Sequence, residues 1–263
     1  MISGTTKIAV LLSHPSTHLQ TPPRFNERCV ERGIDMVLVP WDVAPADLTD
    51  AWQGLRQIQN LAGVVVTIPH KETVAGLCDT LATEAAAMGV CNVARRFPGG
   101  KFLGEMYDGR GFVAGLLKSG HRLKDKTVLL LGAGGAATGI AHALAQAGVS
   151  ELRIANRTRA KAVILVAAVA ARFPALTVTA SDPDVAGVDV IINGTSVGMH
   201  AADPLPVDLS NMAKGTVVAE VIMSPDVTTL LSTAQERGAK IHKGVHMVDA
   251  QIDLLINHLL EIS

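Results

Sequence analysis

Two charged residues stand in apolar or glycine-rich surroundings. Lys71 closes the stretch Val64-Val65-Val66-Thr67-Ile68-Pro69-His70-Lys71, and Asp108 lies within Gly104-Glu105-Met106-Tyr107-Asp108-Gly109-Arg110-Gly111-Phe112. A lysine held beside a carboxylate can take the proton of an alcohol, or return one to a carbonyl oxygen, while the carboxylate orients it. Each residue also has a plain structural reading. Lys71 can begin a solvated helix, and Asp108 can serve as a turn or N-cap residue.

A second stretch points to a phosphate-bearing ligand. Val128 to Gly148 reads as a strand, a glycine turn and an amphipathic helix in that order. In the turn Gly132-Ala133-Gly134-Gly135-Ala136, Gly132 allows the tight bend and Gly134 lets the backbone approach a pyrophosphate. Gly135 and Ala136 keep the helix N-terminus close, where N–H groups and the helix dipole favour phosphate oxygens. NAD-binding folds place an acidic residue on the ribose about 20 residues further on. Here Asn156, Arg157 and Thr158 occupy that place, with Arg159 and Lys161 behind them. A guanidinium binds a 2′-phosphate through charge-assisted hydrogen bonds and a carboxylate repels it, so NADP is the expected cofactor. The plainer alternatives are a compact strand–helix turn and a solvated basic helix start.

These residues need rigid elements behind them. The triple valine suits a strand buried on both faces, expected over Gly63–Ile68, and Pro69 ends its ladder. Before it come strand Lys7–Leu12, a helix near Pro22–Arg32 stopped by Gly33, strand Asp35–Val39 and a helix near Pro45–Gln59. After it come a helix over Lys71–Ala87 and a hairpin of Asn92–Phe97 with Lys101–Met106. The second half alternates strands at Thr127–Leu131, Glu151–Ile154, Leu176–Ala180, Asp189–Ile192, Gly215–Val221 and Ala239–His242 with helices, the last over His246–Leu260. This alternation predicts an α/β protein with mostly parallel sheets. The apolar run Ala162–Ala171 is too short to span a bilayer and reads as a buried helix, or as an oligomer contact.

Composition sets outer bounds. The chain has 263 residues, 48% hydrophobic and 3% aromatic, and Lys plus Arg (23) nearly balances Asp plus Glu (24). That balance favours a small-molecule ligand over nucleic acid or an anionic membrane. Cys29, Cys78 and Cys91 show no disulfide or zinc spacing, and the N-terminus lacks a signal-peptide pattern, so a reducing cytoplasm is expected. His14 and His18 are four residues apart, but no nearby carboxylate or cysteine completes a set, so no metal site is expected.

Together these stretches resemble the shikimate dehydrogenase family along nearly the whole chain. The family's Thr-apolar-Pro-x-Lys is matched by Thr67-Ile68-Pro69-His70-Lys71, and its Gly-Ala-Val-Asn-Thr is similar to Gly89-Val90-Cys91-Asn92-Val93. Its Gly-x-Asn-Thr-Asp-Gly-x-Gly-Phe is similar to Gly104–Phe112. Further matches are Gly132–Ala137, Asn156–Thr158, the Asn-x-Thr-Ser-x-Gly-Met run at Asn193–Met199, and Gly244, Met247 and Gln251. The resemblance implies an N-terminal α/β substrate domain, residues 1–112 completed by 244–263. It also implies a Rossmann-type, doubly wound parallel-sheet NADP domain, residues 113–243. It makes Lys71 and Asp108 the catalytic pair, with Thr21, Thr67, Asn92, Tyr107 and Gln251 on the substrate. Cofactor contacts would come from Gly132–Ala136, Asn156–Thr158, Lys161, Thr195, Met223 and Gly244. The implied reaction reduces 3-dehydroshikimate to shikimate with NADPH, in a monomer or homodimer.

The chain departs from this pattern at one end. The family's His-Ser-x-Ser-Pro, whose serines hold the substrate carboxylate, is best matched by His18-Leu19-Gln20-Thr21-Pro22. A gapped register would use Ser13 or Ser16. Leu19 cannot hydrogen-bond, and Thr21-Pro22 reads as an N-cap followed by Pro at N1, where an anion could sit with Arg24 as a new counter-ion. Asn-Thr before the aspartate is Met106-Tyr107, the Thr after Asn92 is Val93, and the expected tyrosine is Met223. Quinate or another altered substrate is therefore an alternative, and a catalytically silent NADP- or metabolite-binding regulator is a second class of reading.

Overall fold

The computed structural model describes residues 2–17 and 19–262. His18, the head of the N-terminal motif match, lies outside them. The chain forms two compact units, residues 1–107 with 251–263, and residues 108–250.

The first unit carries β1 (Lys7–Ser13), α1 (Thr21–Glu31), β2 (Met36–Asp42), α2 (Leu48–Gln57), β3 (Leu61–Val66), α3 (Lys71–Leu77), β4 (Thr80–Leu81), α4 (Thr83–Met88), β5 (Val93–Arg96) and β6 (Phe102–Glu105). Its sheet order is β2-β1-β3-β5-β6-β4. β1 runs parallel to β2 and β3, whereas β5 is antiparallel to β3 and β6, as the hairpin reading required. Every residue of β3 is buried, which is why an unbroken apolar run works there. Trp52 and Phe102 close the core with ring centroids 4.4 Å apart.

Three local expectations need correction. β3 stops at Val66, and Ile68, expected inside the strand, is 44% exposed. The helix expected over Lys71–Ala87 breaks at Cys78. There Asp79 accepts hydrogen bonds from Phe102 N (2.8 Å) and Arg56 Nη1 (2.9 Å), and the next two residues pair with β6. Thr21 is not the N-cap of α1: Gln20 holds that place without a side-chain bond, and Thr21 is the first helical residue.

The second unit carries α5 (Asp108–Lys118), β7 (Thr127–Leu131), α6 (Gly135–Gln146), β8 (Glu151–Ala155), α7 (Arg159–Arg172), β9 (Thr177–Ala180), β10 (Val190–Asn193), β11 (Val217–Glu220), α8 (Thr229–Glu236) and β12 (Lys240–His242). The final helix α9 (Val245–Leu260) starts here and gives residues 251–260 to the first unit. The six strands are all parallel in the order β12-β11-β10-β7-β8-β9. The chain leaves β7 toward β9 and returns to β10 on β7's other side, creating the topological switch point where such sheets bind ligands. α7 is only partly buried. Ala162, Leu165 and Val169 face the core, while Val163 and Ile164 are 50% and 70% exposed. Among the described residues no helix is long and apolar enough to cross a membrane.

The second unit also stacks His242 against Phe112, His121 and His246, with ring centroids 6.1, 5.5 and 4.8 Å away. Burial, then the neighbouring His246 and His121, push the His242 imidazole down from 6.5 to about 4. The folded state thus binds fewer protons than the unfolded state between those values. Stability is full above pH 6.5 and falls as pH drops toward 4, by about 2 kcal/mol at pH 5. Replacing His242 with leucine should shrink the gap between unfolding free energies at pH 7 and pH 5 by that amount, measured by urea titration. An unchanged gap would remove His242 as the cause.

Candidate active site

In the first unit, Asn92 forms a hub. It is 2% exposed, between β4's neighbour α4 and the start of β5. Its Oδ1 accepts the Tyr107 backbone N–H at 2.8 Å, and its Nδ2 donates to Gln251 Oε1 at 3.3 Å. Its backbone is held by Val66 N–H and by Glu105 O, at 2.8 and 3.0 Å. One residue earlier, Cys91 N–H donates to Lys71 O at 3.2 Å. Lys71 opens α3 and is 8% exposed, and its predecessor His70 is fixed by a 2.8 Å hydrogen bond between Nε2 and Val43 O. Lys71, Asn92, Tyr107 and Gln251 therefore belong to one hydrogen-bonded neighbourhood, and Asp108 follows Tyr107 in the chain.

Other residues of this unit fall differently. Thr67 is half-buried at the end of β3, and its carbonyl accepts His70 N–H at 2.9 Å. Thr21 and Leu19 are half-buried near the start of α1. Met106 and Val93 are 1% and 0% exposed, so both changes sit in the buried interior. Tyr107, half-buried, is the altered residue adjoining the hub.

In the second unit, Gly132 has φ +112° and donates its N–H to Ala155 O at 2.7 Å. A Cβ there would stand 3.1 Å from Gly194 O, so the turn and the loop after β10 admit only glycine. Gly134 is the N-cap of α6, exposed, with open space where a Cβ would be. Its neighbours Gly135 and Ala136 begin the helix, half-exposed, with the first-turn N–H groups that lack intrahelical partners. At the end of β8, Asn156 Nδ2 donates to Thr158 O at 2.8 Å, and Arg157 and Lys161 project from the surface. Arg159 is engaged by Asp182 at 3.4 Å.

The loop after β10 is tightly tied. Thr195 N and Oγ1 donate to Asn193 Oδ1 at 3.1 and 2.7 Å, and Asp203 Oδ2 accepts from Gly198 N and His200 N. Asn193 Nδ2 reaches Val197 O and Glu220 Oε2 at 3.0 and 3.4 Å. Glu220 is fully buried, and burial raises its carboxyl above the ordinary value. Met223 is half-buried beyond β11. Gly244 has a packing reason, because a Cβ there would stand 2.3 Å from Ile222 O.

Residues 11–94 match the shikimate dehydrogenase substrate binding domain, and residues 116–204 match the shikimate / quinate 5-dehydrogenase domain. A shikimate dehydrogenase (NADP(+)) from Rubrobacter xylanophilus is 34% identical over 257 residues, covering 97% of this chain and 88% of that protein. The chain belongs to the shikimate dehydrogenase family. Among solved structures, shikimate 5-dehydrogenase from Listeria monocytogenes, in complex with shikimate and NAD, aligns with TM-score 0.87 at 28% identity, covering 99% and 93% of the two chains. A 5-ketofructose reductase of Gluconobacter, free of ligand, aligns with TM-score 0.84 at 30% identity, covering 97% and 93%.

Within this shikimate dehydrogenase framework, sequence reasoning missed Asn193, Asp203 and Glu220 as supports of the loop after β10. Asn193 lies in the family run Asn193–Met199, in which only Thr195 was singled out, whereas Asp203 and Glu220 lie outside it. It also missed His258, whose Nδ1 lies 3.4 Å from the Tyr107 hydroxyl.

Proposed function

We propose that this protein is an NADP-dependent alcohol dehydrogenase interconverting 3-dehydroshikimate and shikimate or a closely related hydroxylated cyclic carboxylate. The carrying observation is the Asn92 hub, which gathers Tyr107, Gln251 and the Lys71 backbone into one neighbourhood. Lys71 takes or returns the hydroxyl proton, and Asp108 orients it. Asn92, Gln251, Thr67, Thr21 and Tyr107 hold the substrate. The exposed lip of Gly134 and the α6 N-terminus suit the pyrophosphate, Ala133 and Thr195 flank Gly132, and Met223 and Gly244 are further cofactor contacts in this reading. Arg157 and Lys161 suit the 2′-phosphate, beside Asn156 and Thr158. When bound, the nicotinamide supplies the hydride. The same reading places the enzyme in the cytoplasm, as a monomer or homodimer without nucleic-acid partners.

The test is NADP⁺ reduction with shikimate, quinate and related polyols. Arg157→Ala should raise the KM for NADP⁺ by about tenfold to a hundredfold, the loss expected for one or two charge-assisted hydrogen bonds, with little change for NAD⁺. Equal changes for both would undo the 2′-phosphate assignment. Inactivity on the whole panel with intact NADP⁺ binding would favour a regulator. That reading has no support among enzyme-named relatives such as the Rubrobacter protein. An altered substrate has a specific footing: Leu19 stands where the best-matching register expects a serine, and the 5-ketofructose reductase is 30% identical beside 28% for the Listeria shikimate enzyme.

A further inference from the structure

Within the first unit, α9 has an apolar side and a charged side. Ile252, Leu255, Ile256 and Leu259 are at most 3% exposed. At 3.6 residues per turn, Asp253 stands about 200° around the axis from Gln251, and Asn257 lies one turn beyond Asp253. On this outer side the helix is gripped by α1. Asp253 Oδ2 accepts from Arg28 Nη1 at 2.6 Å and its Oδ1 from Arg32 Nη1 at 3.0 Å, while Arg32 Nη2 donates to Asn257 Oδ1 at 2.8 Å. Glu31 accepts Arg28 Nε at 2.9 Å and so orients that guanidinium. Helix α1 is in turn tied to the sheet. Asn26 Nδ2 donates to Leu38 O at 3.1 Å, and Leu38 N–H donates to Asn26 Oδ1 at 2.7 Å. Polar bonds therefore run from β2 through α1 to α9.

The two sides hold the helix in different ways. Apolar burial is non-directional, so it fixes the depth of α9 better than its register. Charge-assisted bonds to a guanidinium fix orientation as well as distance. The inner tie, from Asn92 Nδ2 to Gln251 Oε1, is a single bond at 3.3 Å, longer than the common N–H···O distance of about 2.9–3.0 Å. One long bond sets neither the rotation of a helix nor its slide along the axis. The three outer bonds, none longer than 3.0 Å, set both.

We propose that Asp253 is a positioning residue: clamped by Arg28 and Arg32, it sets the rotation and register of α9 and thereby aims the Gln251 amide at the substrate. The inference rests on the reading that Gln251 touches substrate. Helix α1 opens with Thr21, seven residues before Arg28 and hence on the same face. The clamp thus joins two elements that this reading places on the substrate, and holds their spacing.

The clamp side chains are 28–45% exposed, so the expected effect is selective and modest. Asp253→Asn should raise the KM for shikimate, or for quinate where that acid turns over faster, by about three- to tenfold, the size of one or two partly exposed ion pairs. The KM for NADP⁺ should stay unchanged. Asp253→Glu keeps the carboxylate and should restore most of the substrate KM. Arg28→Met combined with Arg32→Met releases the clamp from the other helix and should reproduce the rise. The deciding measurement is the coupling to Gln251. Gln251→Ala alone should raise the substrate KM, and adding Asp253→Asn should change it by less than about twofold, because the clamp acts through that amide.

A substrate KM unmoved by Asp253→Asn and by the arginine pair, with Gln251→Ala impaired, would overturn the clamp and leave Gln251 on the substrate. Losses that multiply in the Gln251→Ala background would overturn it too, since a residue that only stabilises the fold acts independently of the amide. An unimpaired Gln251→Ala would remove the amide from the substrate, and the inference would fall with that assignment. Turnover of neither acid would overturn the dehydrogenase reading for these substrates and the inference with it.

Discussion

Lys71→Met should lower kcat on the best substrate by roughly a hundred- to ten-thousand-fold, the range contributed by a positioned proton-transfer group, while NADP⁺ affinity stays unchanged. The substitution is chosen to isolate the ammonium. Methionine keeps an unbranched apolar stem of similar length, so little packing is lost at a residue that is 8% exposed. The backbone is pinned on both sides, by the His70–Val43 bond and by Cys91 N–H on Lys71 O, so the change should not displace Asn92. Burying an ammonium is costly, and lysine rarely occupies such a place without a chemical or ionic reason. Asp108→Asn should lose activity by a comparable factor. If the two act as a unit, the double variant should be little worse than either alone, because effects within one catalytic unit are far from additive. Wild-type kcat in Lys71→Met, from steady-state rates and single turnovers, would refute the proton role. Strictly multiplicative losses would separate Asp108 from it.

How much of this was legible depended on how local the cause was. β7 was read with its observed ends because four apolar residues follow Thr127 and the glycine turn stops them. The β5–β6 hairpin was legible from its Pro-Gly-Gly connector, where Gly99 and Gly100 take φ +81° and +75°. The break after α3 was not, because its cause is Asp79 held by Arg56 and Phe102, both more than 20 residues away. Nothing periodic announces such a bond. The exposed Val163 and Ile164 are a related case: an alanine-rich helix is apolar around much of its circumference, so hydropathy cannot say which side the sheet covers.

The site divides along the same line. The glycine turn was readable from chemistry, since each of its residues has a reason at its own spacing. Asn92 and Gln251 were placed by resemblance alone. They are 159 residues apart and meet through one 3.3 Å bond. Met106 and Val93 were grouped with Tyr107 as substrate-end changes, yet both are buried in the interior. Past the end of β6 Met106 turns into the interior while Tyr107 stays half-buried, and a motif match does not register that difference.

The glycines of Asp108-Gly109-Arg110-Gly111-Phe112 supply the second large effect, on folding. Gly109→Ala should cost about 3 kcal/mol or more, the upper range for overpacking, and lower Tm by roughly 6–12 °C for a chain of this size. Alanine ordinarily helps a helix by up to about 1 kcal/mol over glycine, so the sign rests on the surroundings. Here a Cβ would stand 2.0 Å from Gly139 O and 2.9 Å from Ala143 Cβ. The obstructing atom is backbone inside α6, which cannot rotate aside as a side-chain end would. Helices α5 and α6 would have to separate, loosening a core that includes Phe112, Ile140 and Ala141. Gly134→Ala is the matched control. Its Cβ meets nothing within 4 Å, so Tm should hold while the KM for NADP⁺ rises, as the methyl group fills space left for the pyrophosphate. Scanning calorimetry of the two variants, with NADP⁺ titrations of each, distinguishes the glycine that packs from the glycine that binds. A stable Gly109→Ala protein would mean that α5 and α6 can part at small cost. An unstable Gly134→Ala protein would mean that the turn at α6 is needed for the fold before it is needed for the cofactor.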